Sequence, residues 1–226
     1  MLACRDTPVA RCTSHGTLNC AYDHWEGCDN AVVTDCVVVC GKTYGILFTA
    51  LGTELWDHHH GTRFKATNNR VYAATEAGIW IAALSEYSSI NDVTVSGNYV
   101  YGGTKASGIG LTGDVRNAMV ENNTFEAIQG SNPIFTRPDK WNRPRDVQIV
   151  NNHMINCVTD APNVALIQAL GDRIVVRGYS ATGGSYPALV WIDGKQCALA
   201  ANTGNGVRAG RKYNFAHAQA PVVADP

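Results

Sequence analysis

The chain carries little charge of either sign: 16% of its 226 residues are Asp, Glu, Lys or Arg, and the formal net charge is −1. No basic stripe is available to meet phosphates, so no nucleic-acid partner is expected. No apolar run approaches the length of a membrane span, so no membrane insertion is expected. The opening stretch, MLACRDTPVARC, lacks a basic region followed by an apolar segment, and no secretory signal is visible in it. Either export uses another route, or the first part of a longer protein is absent. The eight cysteines, at 4, 12, 20, 28, 36, 40, 157 and 197, contain no CxxC, which weakens a zinc reading. They read as buried free thiols behaving as small apolar residues, with disulfides left open. Helical periodicity of 3.6 residues is missing as well, which removes the helical solenoids.

Gly, Asn, Thr and Val are plentiful, and that composition favours strands joined by many turns. VTVSGNYV at 93–100 is one such strand and turn, and its outline returns in FKATNNRV, AMVENNTF and VQIVNNHM. Aligned on the position just after the left-hand Asn or Gly, the repeats give a column of Cys36, Asn69, Asn98, Asn123, Asn152 and Tyr179, spaced by 33, 29, 25, 29 and 27 residues. A second outline, GILFT, GIWIA, GIGLT, PIFT, NVALI and PALVWI, gives Ile46, Ile79, Ile109, Ile134, Val164 and Ala188, spaced by 33, 30, 25, 30 and 24. The two irregular series rise and fall together. A strand–turn–strand unit of constant length therefore alternates with one loop of free length. Such units cannot bury their apolar faces alone and become stable when stacked. The expected fold is all-β: a right-handed parallel β-helix of about seven coils over residues 1–193, with 1–15 a partial coil or cap. Residues 194–226 break the pattern and are expected to form a cap or oligomer-contact tail over the strand edges. Asn suits a left-handed bend, and stacked Asn amides can bond along the axis as a ladder.

The units DVTVSGNYVYGGTKASGIGLTG and NAMVENNTFEAIQGSNPIFT resemble the right-handed parallel β-helix repeats of the pectin-lyase-like superfamily, over residues 16–193. That superfamily includes pectate lyases, alginate-type lyases and epimerases, and phage tailspike depolymerases. The phage tailspike or tail-fibre branch is the nearer in character. It implies a homotrimer at a virion tail or outside the cell, with a bacterial surface polysaccharide as partner.

Function belongs on the free-length loops. Trp25, Trp56, Tyr87 and Trp141 recur there at similar offsets, flat faces suited to sugar rings. With His24 they are the candidate substrate contacts. Glycoside hydrolysis needs two carboxyl groups about 5 to 9.5 Å apart. Glu26 with Glu54 or Asp57, or Asp57 with Glu86, could supply them across neighbouring coils, and Asp23, Asp114 and Asp139 lie in the same loops. A lyase or epimerase would instead need a base near a uronate C5 proton, from His24, His58, Lys65, Lys140, Arg143 or Arg145. These are scattered, and no calcium-holding Asp cluster is recognisable. DHHHG at 57–61 reads as a surface feature, so no metal is expected. GTKASGIG at 103–110 lacks a nucleotide-binding pattern around it and reads as a turn, so no cofactor is expected. A non-enzymatic glycan-binding or structural β-helix is the alternative to an enzyme.

Overall fold

A computed structural model describes residues 5–17, 19–24, 28–39, 43–52, 60–72, 74–102, 106–159, 161–215 and 222–224, with side chains as far as residue 210. Every regular element among them is a β-strand, and the strands pair in parallel in three sheets of 10, 8 and 8. Each coil contributes one rung to each sheet in turn, for instance Ser89–Ser96, Tyr99–Tyr101 and Ser107–Gly113. The next coil repeats the order with Val115–Glu121, Thr124–Glu126 and Ile134–Arg137. The chain is a parallel β-solenoid of about seven turns, as its repeat implies.

Like stacks on like down the interior. The first sheet lines up Val33, Ala66, Val95, Val120, Ile149, Val176 and Leu199, and each is buried to within 1%. Val38, Val71, Val100, Phe125, Met154 and Ala181 line up likewise in the second sheet, all buried. Ile46, Ile79, Ile109 and Ile134 stack in the third sheet as the sequence implies. Beyond Ile134 the register corrects the sequence alignment. The next members are Ile167 and Val190, not Val164 and Ala188: the loop before Ala165–Leu170 is longer, and Val190 then returns to the earlier spacing. The leading Gly of GILFT, GIWIA and GIGLT has a steric cause. A Cβ on Gly45, Gly78 or Gly108 would stand 2.3–2.6 Å from the Val71, Val100 or Phe125 side chains of the second sheet.

The corner between the first and second sheets is always two residues long, and it splits the expected role of Asn between them. Asn68, Gly97, Asn122, Asn151 and Gly178 take the left-handed backbone, with φ from 52° to 66°. The residue after each does not, and where it is Asn it builds the ladder. Asn69 N donates to Asn98 Oδ1 (2.9 Å), Asn98 N to Asn123 Oδ1 (3.0 Å) and Asn123 N to Asn152 Oδ1 (3.0 Å). Their amide Nδ2 groups donate to Val33, Ala66, Val95 and Val120 carbonyls at 2.8–2.9 Å. Every polar atom of these almost fully buried amides is thereby paired, as burial requires.

The stack runs on past residue 193. Ala198–Ala200 and Thr203–Asn205 add rungs to the first and second sheets, Arg208–Phe215 to the third, and Val222–Ala224 to the first again. Asn202 even resumes the ladder, accepting from Tyr179 N at 3.3 Å and donating to Val176 O at 3.2 Å. The pattern looked broken there because Tyr179 interrupts the Asn column one coil earlier. Cys36, Cys157 and Cys197 are buried free thiols, as expected, whereas Cys12 is exposed. Burial pushes the Cys157 thiol up to about 11.

Candidate functional site

The third sheet has an outer face as well as an inner one. Between its inward pairs, one outward position per rung reads Leu47, Trp80, Gly110, Phe135, Gln168 and Trp191 in strict register. Beside it run Tyr44, Ala77 and Ser107 on one flank, and Thr49, Ala82, Thr112 and Arg137 on the other. Part of this face forms a shallow groove of about 260 Å³, walled by Tyr44, Glu76, Trp80, Phe135, Arg137 and Gln168.

The groove is held rigid. Trp80 stacks on Tyr44 with ring centroids 4.7 Å apart, and its Nε1 donates to Thr112 Oγ1 at 2.9 Å. The Tyr44 hydroxyl donates to Glu76 Oε2 at 2.8 Å; burial first, then this carboxylate, raises the Tyr44 pKa. Phe135 lies across the floor over Gly110, where an added Cβ would stand 2.2 Å from the ring. The Arg137 guanidinium sits 4.9 Å above the same ring. Flat apolar faces flanked by a carboxylate, a guanidinium and a primary amide suit the C–H faces and hydroxyl edges of sugar rings.

At one edge of this groove the strands pass into the free-length loops, where Glu86, Tyr87 and Trp141 lie. Trp25, Glu26, Glu54, Trp56 and Asp57 lie outside the described residues, as does His58. Glu86 and Trp141 are exposed, Trp141 by 48%, with Lys140 Nζ 5.1 Å from the Trp141 ring centre. Asn142 Nδ2 donates to Ser85 O at 3.2 Å, which joins the Trp141 loop to the loop of Glu86 and Tyr87 although 57 residues separate the bonded pair. Ser85 in turn accepts from Gly52 N at 3.1 Å. The Glu86 and Trp141 loops thus form one shelf, and Pro138 to Arg143 with Arg145 and Asp172 line a second hollow of about 330 Å³ there.

Other expected residues do different work. His24 is 8% exposed and its ring packs on Phe48 at 5.3 Å, so it belongs to the core and not to the substrate face. The cause is register: His24 pairs with inward-facing Phe48. Burial lowers its pKa, a Thr7 backbone hydrogen bond only partly opposing. Asp114 is structural, clamped by Arg116 and by Arg145 at 3.0 Å. Burial alone would raise its pKa, but the hydrogen bonds from these two guanidinium groups hold it below the usual carboxylate range. Asp139 Oδ1 accepts from the Trp141 and Asn142 amides at 2.8 and 2.5 Å and shapes the loop. His60 bonds Ser89 at 2.8 Å, and no metal-holding cluster occurs among the described residues. Sequence reasoning missed Tyr44, Glu76, Trp80, Phe135, Arg137 and Gln168. The available signal was the aromatic residue lodged between two inward Ile positions in GIWIA and its partners.

Comparisons with known proteins agree on the fold. A family described as "Disaggregatase related" matches residues 64–172, a little under half of the chain. A search of curated proteins finds no match. Among solved structures, one described as "Glycoside hydrolase" superposes with a TM-score of 0.60 at 11% identity, covering 88% of this chain and 38% of its own. The A-module of the Azotobacter vinelandii mannuronan C-5 epimerase AlgE6 gives 0.55 at 15% identity, covering 98% and 65%. PfbA, a surface adhesin of Streptococcus pneumoniae, gives 0.54 at 9%, covering 96% and 61%. This chain therefore spans 38% to 65% of the length of these three, and at such identities the likeness is one of fold.

Proposed function

We propose that this protein binds a polysaccharide along the outer face of its third sheet, with the loop shelf carrying the chemistry of cleavage. The observation that supports it most is the groove itself: Tyr44, Trp80 and Phe135 set as fixed rings among Glu76, Arg137 and Gln168 on one rigid face. A sugar chain lying across the rungs meets rings on the sheet and then Trp141 on the shelf. The finer reading is hydrolysis of a bacterial surface polysaccharide by a tailspike-type homotrimer, at a virion tail or outside the cell. Its acid and its nucleophile or base are drawn from Glu26 with Glu54 or Asp57, or from Asp57 with Glu86.

Purified capsule or O-antigen incubated with the protein should gain reducing ends. Glu54→Gln or Asp57→Asn should abolish that gain while binding survives. A new ultraviolet-absorbing double bond at the chain end would move the chemistry to a lyase. Glu76 is the one carboxylate among the groove's walls, which favours the second reading, a glycan-binding β-helix without turnover. Retention of the glycan with no product after long incubation would decide for it. Light scattering that reads a monomer at micromolar concentration would remove the trimer.

A further inference from the structure

The ladder column extends beyond its asparagines. At the first two corners the left-handed residues are Arg11 and Asp35, with φ of 54° and 53°, so the ladder positions are Cys12 and Cys36. The rungs that follow them pair in register, Thr13 with Val37, and Val37 N donates to Cys12 O at 2.9 Å. Cys36 N itself donates to Asn69 Oδ1 at 3.0 Å, so it stands on top of the amide column. Side chains at this position reach each other from coil to coil: Asn69 Nδ2 to Asn98 Oδ1 is 2.9 Å, and Asn98 Nδ2 to Asn123 Oδ1 is 2.9 Å. The two thiols share one orientation. Each donates to the carbonyl two residues back, Cys12 to Ala10 at 3.3 Å and Cys36 to Thr34 at 3.2 Å. Cys36 Sγ also reaches up to Val9 O of the first coil at 3.7 Å. The Tyr22 hydroxyl lies beside them; its pKa is pushed up to about 12, by burial first and then by Cys36 and Cys12.

We propose that Cys12 and Cys36 are a disulfide site, a covalent rung that closes the amide ladder at the first coil. Adjacent parallel strands are about 4.8 Å apart, inside the Cα range of about 4.4 to 6.8 Å that a disulfide spans. Exposed Cys12 is the thiol that meets the oxidant, a small-molecule disulfide such as oxidised glutathione. Its thiolate attacks one sulfur, and one glutathione thiolate leaves. The Cys36 thiolate then attacks Cys12 Sγ in the mixed disulfide and expels the second glutathione. Two thiol protons are released, and two electrons pass to the external disulfide. Among the described residues the strands Arg5–Ala10 and Thr13–His15 have one neighbouring rung each, so the bond adds to the contacts that hold this coil.

The test is a peptide map of the full chain after equilibration with oxidised glutathione, cut on the N-terminal side of aspartates. The expected product joins peptide 6–22 to peptide 35–56, two mass units below the sum. The link persists in Cys20→Ser and disappears in Cys12→Ser and in Cys36→Ser. Amide exchange of residues 13–15 should slow on the order of 100-fold on oxidation, from the loop of roughly two dozen residues that the bond closes. A chain that stops at the glutathione adduct of Cys12, that stays reduced, or that links through Cys20 or Cys40 overturns the proposal.

Discussion

Two neighbouring asparagines in the NN motif do different physical work, and single substitutions separate them. Asn123→Ala leaves Asn98 N buried without its partner and takes one donor from Val95 O, at a cost of about 1–3 kcal/mol for the stranded N–H. Asn122→Ala keeps those bonds and loses only the ease of a left-handed backbone, about 1–2 kcal/mol. Urea titration should rank Asn123→Ala as clearly the more damaging. In the groove, Trp80→Ala removes a ring stacked on Tyr44 and should weaken glycan binding by about tenfold, with the far-ultraviolet spectrum unchanged. Gly110→Ala forces the Phe135 ring off the groove floor, so calorimetric titration with glycan should show a loss at least as large. A spectrum of intact fold with undiminished affinity in both variants would displace the groove as the binding face. His24 shows how a polar residue misleads a reader of sequence. Its loop neighbours advertise a surface site, and only strand register reveals that it faces Phe48.

At the scale of strands, the repeat was legible because burial on both sides of a corner demands a fixed spacing. Apolar positions, the left-handed residue and the ladder residue recur together, and insertion is tolerated only in the loops. The groove was not legible for a related reason. Leu47, Trp80, Phe135 and Trp191 are apolar on the outward side of strands already apolar inward, so the strands read as continuous core. Register alone assigns the faces. The Asp114 clamp gives this scale its pH dependence. Arg116 and Arg145 are cross-strand neighbours, and both close on one carboxylate. Because the folded pKa of Asp114 is depressed, its contribution is complete above the unfolded carboxylate value of about 4 and is lost as pH falls through the folded value. His24 works in the same direction at higher pH: its folded pKa lies below 6.5, so stability declines as pH drops under that figure and the unfolded chain gains the proton. Thermal midpoints should therefore fall from neutral pH downward, and His24→Leu should flatten the part of the curve just below pH 6.5.

The molecule as a whole behaves as a stack in which each coil leans on its neighbours. Ending the chain after Asp193 would uncover the rungs that Ala198–Ala200, Thr203–Asn205 and Arg208–Phe215 now cover. The remaining coils should keep their strand spectrum, but with a lower thermal midpoint and a tendency to associate through the bared edges. A truncation that matches the full chain in both respects would show the last rungs to be dispensable.

A column of amides that closes only when one stands directly upon another also acts as a proofreader of assembly. Were a single coil to settle one residue out of step, its valines and isoleucines would turn to water and its polar positions inward. It would break two amide contacts at once, one above and one below. Misalignment is thereby penalised at every layer, well before the whole rod is complete. The loops, which take no part in that check, are left free to change.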